Sequence, residues 1–456
     1  MRTKIHVQPR FPLISSHQPK EVLLFQERYD KISSLLDANP AILDAVHDDL
    51  ARMGADSGRE STFSSEQYLR MIVIKTVEGL ALRDTIVRVA DSDFLRNFTR
   101  IFSGRMMNFT ALQSALKLIS EKTWALVNNI LFTSAHTAGV ITGERLRIDS
   151  TVCESNIHYP TDSSLLWDSY RVGARLIRNC AAAEPRLDLG NRFHESKAKQ
   201  LYTLIATQSA RKRSKRAVKR ATNKLIKRVE SVCDIATDVL EKAARQPTAS
   251  VEALGYLAEL ETMVPRFRQV VSCARRVWQG ETVPAADRIF SIFESHTELL
   301  KRGKAHKPVE FGHLVTLAQT AEKFISFYCV EEHSRHDREL GDVALNDHKR
   351  RFKSFPREFT ADKNYYGGPE HLQKWEQRIK TYAVGKKGRR NEDETQREHS
   401  SLFRLLQKFR AGCEGSISVL KRVFGLYRCL YRGFKSFASS IGRIVFCHNL
   451  VVLSRL

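Results

Sequence analysis

Residues 144–152 read Glu-Arg-Leu-Arg-Ile-Asp-Ser-Thr-Val, and the rest of the chain is read from this stretch outward. Apolar and polar residues alternate with the period of a strand. The alternation puts Asp149 on the face opposite Ile148. A carboxylate in a strand with an apolar face is costly unless something compensates it, so Asp149 is the first candidate functional residue.

Upstream the pattern is helical. Leu23, Leu24, Phe25, Tyr29, Ile32, Leu35 and Leu36 recur at helical spacing, and a second run from Ser65 carries Tyr68, Leu69, Ile72, Val73, Val77 and Leu80. Residues 1–20, with Pro9, Pro12 and Pro19, read as a flexible arm, and 21–140 as a helical N-terminal domain. Downstream, the next strands form a hairpin, Leu314–Ala318 and Phe324–Val330. A helix follows over Asp337–Phe352, a strand at Glu358–Ala361, a helix near Pro369–Ile379, a strand at Thr381–Val384, a basic loop over Gly385–Asn391, and helices from about Gln396 to the end. With the segment between the first strand and the hairpin set aside, this order suits an α+β or mixed α/β sheet of the ribonuclease H-like kind.

That intervening segment, 165–305, reads as a basic helical insertion. Its densest patch contains Arg211, Lys212, Arg213, Lys215, Arg216, Lys219, Arg220, Lys224, Lys227 and Arg228, with Ala210, Ala217, Ala221, Leu225 and Ile226 left for packing. Two readings stay open, a solvated helix face and a clamp on the DNA backbone. The whole chain of 456 residues holds 74 Lys and Arg against 51 Asp and Glu, a formal charge of +23. Such an excess calls for a polyanion, and phosphates gain affinity by releasing counterions when Lys or Arg neutralises them. No apolar run is expected to be long enough to span a bilayer, and neither end carries a lipidation signal. The start, Met-Arg-Thr-Lys-Ile-His-Val, lacks the apolar core of a secretion signal, and the eight cysteines contain no Cys-x-x-Cys pair. They are expected to be reduced, mostly buried thiols in the cytoplasm.

Two further acids join Asp149. Asp362 ends the strand Phe359-Thr360-Ala361, just before Gly367-Gly368, and strand ends are where α/β sheets hold their sites. Glu414 lies on a predicted helix with Arg410 four residues before it and Lys421 seven after, so the three share a face. Strand Asp, strand Asp and helix Glu form an all-oxygen set suited to two Mg²⁺ ions, with Mn²⁺ as a substitute. Each acid also has a structural reading: a turn cap for Asp149, a cap or a Lys363 pair for Asp362, and one half of an Arg410 helix pair for Glu414. Lys363, Lys386, Lys387, Arg389 and Arg390, with Arg410 and Lys421, are candidate phosphate contacts. His313 and His448 are read as structural donors rather than general bases.

The blocks Arg-Ile-Asp-Ser-Thr (147–151), Thr-Ala-Asp-Lys-Asn-Tyr-Tyr (360–366) and Arg-Ala-Gly-Cys-Glu-Gly-Ser-Ile-Ser-Val-Leu-Lys (410–421) resemble the catalytic blocks of bacterial insertion-sequence DDE transposases. The likeness continues through Tyr431-Arg432-Gly433 and His448-Asn449-Leu450. The family's last block carries a Tyr, Arg, Glu, Lys signature; Arg410, Glu414 and Lys421 keep its spacing, and Gln407 stands at the Tyr position. Residues 154–163 resemble a subgroup with a long insertion at that point. The runs from Phe63 through Arg83 and from Asp91 to Phe98 are similar to the helical domain that precedes the catalytic core in such enzymes.

The resemblance implies a ribonuclease H-like catalytic domain over 141–456, interrupted by the insertion and preceded by a DNA-binding helical domain. It implies Asp149, Asp362 and Glu414 as catalytic metal ligands. The implied reaction is cleavage of double-stranded DNA at the terminal inverted repeats of an element, then transfer of the freed 3′-hydroxyl into target DNA. A homodimer in the synaptic complex is implied, as is a bacterial, nucleoid-associated location when bound to DNA. The alternatives are a ribonuclease H-fold nuclease and a domesticated, non-transposing DNA-binding protein.

Overall fold

The computed structural model describes residues 4, 18–52, 62–102, 104–210, 215–245, 250–301 and 307–456. Of the expected arm only Lys4 and residues 18–20 fall within these ranges, and Arg211, Lys212 and Arg213 lie outside them. The chain divides into two compact units: Met1–Glu154 with His313–Leu456, and Ser155–Gly312. The second unit runs wider than the insertion expected over 165–305.

Among the described residues, the first unit begins with seven α-helices: α1 (Lys20–Asp37), α2 (Pro40–Leu50), α3 (Ser65–Val77), α4 (Leu82–Ala90), α5 (Asp93–Thr99), α6 (Phe109–Leu118) and α7 (Glu121–Thr137). A capping box opens α3, in which Ser64 accepts from the Gln67 backbone N–H and the Gln67 side chain accepts from the Ser64 backbone N–H. Arg70 on α3 is buried, and it donates to Glu66, to Asp37 and Ser33 of α1, and to the Phe98 carbonyl of α5. The basic side chain at the end of the 63–70 run is thus a tie between three helices.

The second unit follows β1 (Arg145–Ser155) and holds α8 (Asp162–Ala183), α9 (Glu195–Ala210), α10 (Lys215–Arg245), α11 (Val251–Trp278) and β2 (Glu298–Lys301). Its helices enclose their own apolar core, with Leu166, Leu225, Val229, Leu260 and Phe267 at the centre. On α10 the buried set is Val218, Ala221, Leu225, Ile226 and Val229, which confirms Ala221, Leu225 and Ile226 as packing residues; Ala217 is half-buried. Gly173 of α8 allows the close approach of α10 and α11, because a Cβ there would run into Val232 and Phe267.

The chain returns through β3 (Val309–Thr320), β4 (Ile325–Val330), α12 (Asp337–Phe352), β5 (Glu358–Ala361), α13 (Pro369–Glu376), β6 (Thr381–Val384), α14 (Glu392–His399), α15 (Ser401–Arg422), β7 (Arg428–Cys429) and α16 (Phe434–Leu453). The hairpin and the strands at 358–361 and 381–384 stand where the alternation predicts them. The sheet runs β2-β3-β1-β5-β6, with β4 on β3 and β7 on β1. Its pairing is mixed: β3 is antiparallel to β4, whereas β1, β5 and β6 are parallel. Leu146, Ile148, Phe359 and Ala361 form one apolar face, covered by Ala344 and Leu345 of α12 and by Leu372 and Trp375 of α13.

The helices of 20–137 do not build a core of their own. Ile72, Val73, Trp124 and Phe132 pack in one cluster with Val315 and Phe324 of the hairpin and with Ile441, Val445 and Phe446 of α16. α16 corrects one expectation, since it is long and apolar enough to cross a membrane by length and composition. Yet 89% of its apolar window is buried. A helix enclosed on every side carries no polar face. All eight cysteines are free, and all but half-buried Cys329 are buried.

Burial holds the His448 imidazole at about 4 against an ordinary 6.5, and does the same to His348 on α12. Both are neutral in the folded chain, and the unfolded chain takes up their protons as pH falls below about 6.5. Stability therefore decreases from there and levels off below about 4, by at most about 3 kcal/mol per site. We expect urea unfolding of His448→Gln to depend less on pH between 7 and 4 than wild type. Parallel pH profiles would remove this origin of acid sensitivity.

Candidate active site

Asp149 and Asp362 come together through strand register. β1 and β5 pair in parallel with Arg145 opposite Glu358, Leu146 opposite Phe359 and Arg147 opposite Thr360. Two residues beyond this last pair come Asp149, still within β1, and Asp362, one residue past the end of β5. Both lie on the sheet face opposite Ile148 and Ala361, and α15 packs on β5 and β6.

Each carboxylate is locally held. The Asp149 Oδ1 accepts from the Ser150 backbone N–H at 2.8 Å. Asp362 caps the short turn 363–365, accepting from the Lys363 backbone N–H at 2.7 Å and from the Asn364 side chain at 3.2 Å. That turn is pinned to the sheet by Tyr365, whose hydroxyl is 2.6 Å from Ser150 Oγ, itself 2.9 Å from Thr316 of β3. Burial raises the Tyr365 phenol well above its ordinary value, so it is a neutral hydrogen-bonding group.

Glu414 enters from α15 and is the most exposed of the three, with 58% of its side chain accessible. Arg410 forms an ion pair with it at 3.0 Å and lies 3.8 Å from Asp149, so one guanidinium answers two of the three acids. Gln407, at the position where the resemblance has tyrosine, accepts from Arg410 at 3.0 Å and donates to the Ala383 carbonyl of β6 at 2.9 Å. It ties Arg410 to the sheet by hydrogen bonds alone.

The strongest tie between α15 and the sheet is Arg147, two residues before Asp149 and on the same face. It is 4% exposed. Its Nε and Nη2 donate to Gln319 Oε1 of β3 at 2.9 and 2.5 Å, and its Nη1 donates to the Phe409 carbonyl of α15 at 2.8 Å. The guanidinium also lies over the Phe409 ring at 4.7 Å. Ser416 donates to the same Gln319 oxygen at 3.0 Å. A Cβ on Gly412 would collide with Arg147 Nη1; only glycine lets the helix come this close. Arg147, Gln319, Gln407 and Ser416 were not among the candidates read from sequence. The available signal was an arginine inside an apolar strand alternation, where a buried charge demands acceptors.

The basic candidates divide. Lys363, Lys387 and Arg389 are exposed. Lys386 pairs with Glu394 at 2.6 Å and Arg390 with Glu398 at 2.8 Å, so α14 neutralises these two within their own loop. Lys421 is half-buried and close enough to Cys153 of β1 to act on its thiol. His313 packs against Phe434 and Phe437, and His448 is buried beside Phe424 and Asn449. Lys215, Arg216, Lys219 and Arg220 are on the outer face of α10.

Residues 297–450 match the family model described as a transposase DDE domain. Over that stretch the chain is similar to a transposase DDE domain. The match supports the resemblance to insertion-sequence DDE transposases. It covers Asp362, Glu414, Arg410, the Arg147 partners Gln319 and Phe409, and Ser416, and it begins after Asp149, which precedes the second unit in the chain. No curated protein and no solved structure matches this chain.

For a metal, the candidate donors have suitable chemistry: three carboxylates, two of which already share the positive charge of Arg410. Among the described residues, no three His, Cys, Asp or Glu side chains are gathered tightly enough to form a ready-made cluster.

We expect Gly412→Ala to destabilise the chain by about 1–3 kcal/mol, the scale of overpacking a close contact, because the guanidinium is held by three hydrogen bonds. Urea unfolding measures this. A change within about 0.5 kcal/mol, typical of a surface substitution, would mean that Arg147 does not set the position of α15.

Proposed function

We propose that the chain is a divalent-metal-dependent transposase that cleaves double-stranded DNA at the ends of an insertion sequence and joins the freed 3′-hydroxyl to target DNA. The observations that support this reading are the parallel pairing of β1 with β5, each of which leads into one of the acids Asp149 and Asp362, and the Arg410 guanidinium between Asp149 and Glu414. The strand order β4-β3-β1-β5-β6, with a hairpin on one side of β1 and parallel strands on the other, supports a ribonuclease H-like core.

Asp149, Asp362 and Glu414 are the proposed ligands of Mg²⁺ or Mn²⁺. Two bound ions would supply charge for activating the attacking water or 3′-hydroxyl and for neutralising the leaving oxygen. The protein's own contribution is positional. Ser150 and Tyr365 hold the two strand acids in register, Arg147 and Gly412 set the approach of α15, and Gln407 orients Arg410. Arg410 is the nearest candidate for a scissile phosphate, since it already sits between two acids. Lys363, Lys387 and Arg389 offer further phosphate contacts, with Lys386 and Arg390 available only if their pairs with Glu394 and Glu398 open. No side-chain nucleophile is needed; Tyr365 is fully engaged inside the fold. Joining two element ends requires two active sites, which favours a homodimer on paired ends.

Purified protein incubated with duplex DNA carrying element ends is expected to cut in Mg²⁺ and not in EDTA. Asp149→Asn and Glu414→Gln should each lower the rate by about a hundredfold or more, the scale of losing one preorganised transition-state contact. Circular dichroism and duplex binding should stay as in wild type. Cleavage that persists in either variant would falsify the assignment of these acids.

A further inference from the structure

The second unit, Ser155–Gly312, carries an uneven charge distribution that the chemistry of the three acids does not use. Between Lys215 and Arg228, α10 carries Lys215, Arg216, Lys219, Arg220, Lys224, Lys227 and Arg228 and no acid. Beyond that point come Glu230, Asp234, Asp238 and Glu241, against Lys242 and Arg245. The apolar face of the same segment is in the core, so the cations are turned outward; all but half-buried Arg228 are exposed.

Several other arginines of the unit are paired with acids. Arg245 pairs with Glu241, Arg275 with Glu230, and Arg276 with Glu281 and Asp287. Among the described residues, no carboxylate stands within ion-pair distance of any cation from Lys215 to Arg228. The stripe is also not flat. A groove of about 550 Å³ runs between α9 and α10, with Lys197 and Gln200 on one wall and Lys224, Lys227, Arg228 and Ser231 on the other. Leu201 and Leu204 complete its lining, which contains no acid.

We propose that this groove and the stripe leading into it form a duplex-DNA backbone site, carried by a different unit from the acids and separable from their chemistry. The proposal rests on reading the chain as a DNA transposase. Four cations and two neutral hydrogen-bonding side chains around one concavity match the oxygens of successive phosphates. Such contacts position DNA without reading its sequence. From Lys215 to Arg228 the helix rises about 20 Å, the length of about six base pairs at 3.4 Å each.

The test uses the full chain, a short fluorescent duplex DNA and EDTA throughout, with affinity measured across a salt series. The triple variant Lys224→Ala, Lys227→Ala, Arg228→Ala should bind about tenfold or more weaker near 150 mM salt. Its salt slope should fall by about two to three, at about 0.9 for each phosphate no longer neutralised. Helicity by circular dichroism should not change. The control Lys242→Ala, Arg245→Ala, which removes charge from the far end of the same helix, should bind as wild type, as should Asp149→Asn. An unchanged affinity and slope in the triple variant would overturn the proposal, and so would an equal loss in the control, which would make bulk charge the cause. Cleavage at saturating DNA is read separately: its retention in the triple variant supports a site apart from the chemistry. Undiminished cleavage by Asp149→Asn would sink the transposase reading while leaving the binding result intact.

Discussion

A buried guanidinium holds the two sides of the candidate active site together. Arg147 is inside the fold without a carboxylate among its hydrogen-bond acceptors, and burying a charge costs several kcal/mol unless hydrogen bonds answer it. Its acceptors belong to two other elements, Gln319 on β3 and the Phe409 carbonyl on α15, and the Phe409 ring lies over it. Satisfying Arg147 therefore requires β1, β3 and α15 to meet in one arrangement. Gly412 permits that arrangement by leaving room for the guanidinium.

The positions of the acids follow from it. Asp149 is two residues beyond Arg147 on the same strand face, and Glu414 is two residues beyond Gly412 on the anchored helix. Asp362 arrives by a different route, through the parallel register of β1 and β5 and the Ser150–Tyr365 contact. The hydrogen bonding around Gln319 thus reaches the metal-binding candidates without touching them. Arg410 stands between Asp149 and Glu414 and offsets like-charge repulsion that two neighbouring carboxylates would otherwise feel.

Long-range packing also explains how a large segment can interrupt such a site. The helices within 155–312 enclose their own apolar core. The helices of 20–137 are the opposite case. Their apolar faces are completed by the β3–β4 hairpin and by α16, so one core spans both ends of the chain. The helical patterning revealed the elements in both segments, but it could not show which would pack alone. That depends on which apolar faces meet, and residues far apart in sequence decide it.

Strict alternation made β1, the hairpin and the strands at 358–361 and 381–384 legible, because side chains on a strand take opposite faces at every step. β2 was missed; Glu298–Lys301 is only four residues long and largely half-exposed, and it pairs with 309–312 through backbone groups that leave little trace in side-chain pattern. α16 was missed as a span-length apolar helix because its partners, rather than its own periodicity, account for its composition. The three acids were legible from local context and from resemblance, whereas Arg147, Gln319, Gln407 and Ser416 were not, since their partners lie on other elements. By itself, then, the amino-acid sequence determined the elements, the excess positive charge and the candidate carboxylates, all of which follow from local spacing and residue chemistry. Only the tertiary structure decided that the strands leading into Asp149 and Asp362 pair in parallel, that Arg410 answers two acids and that Lys386 and Arg390 are neutralised by α14. Each of these depends on side chains brought together by packing across long separations.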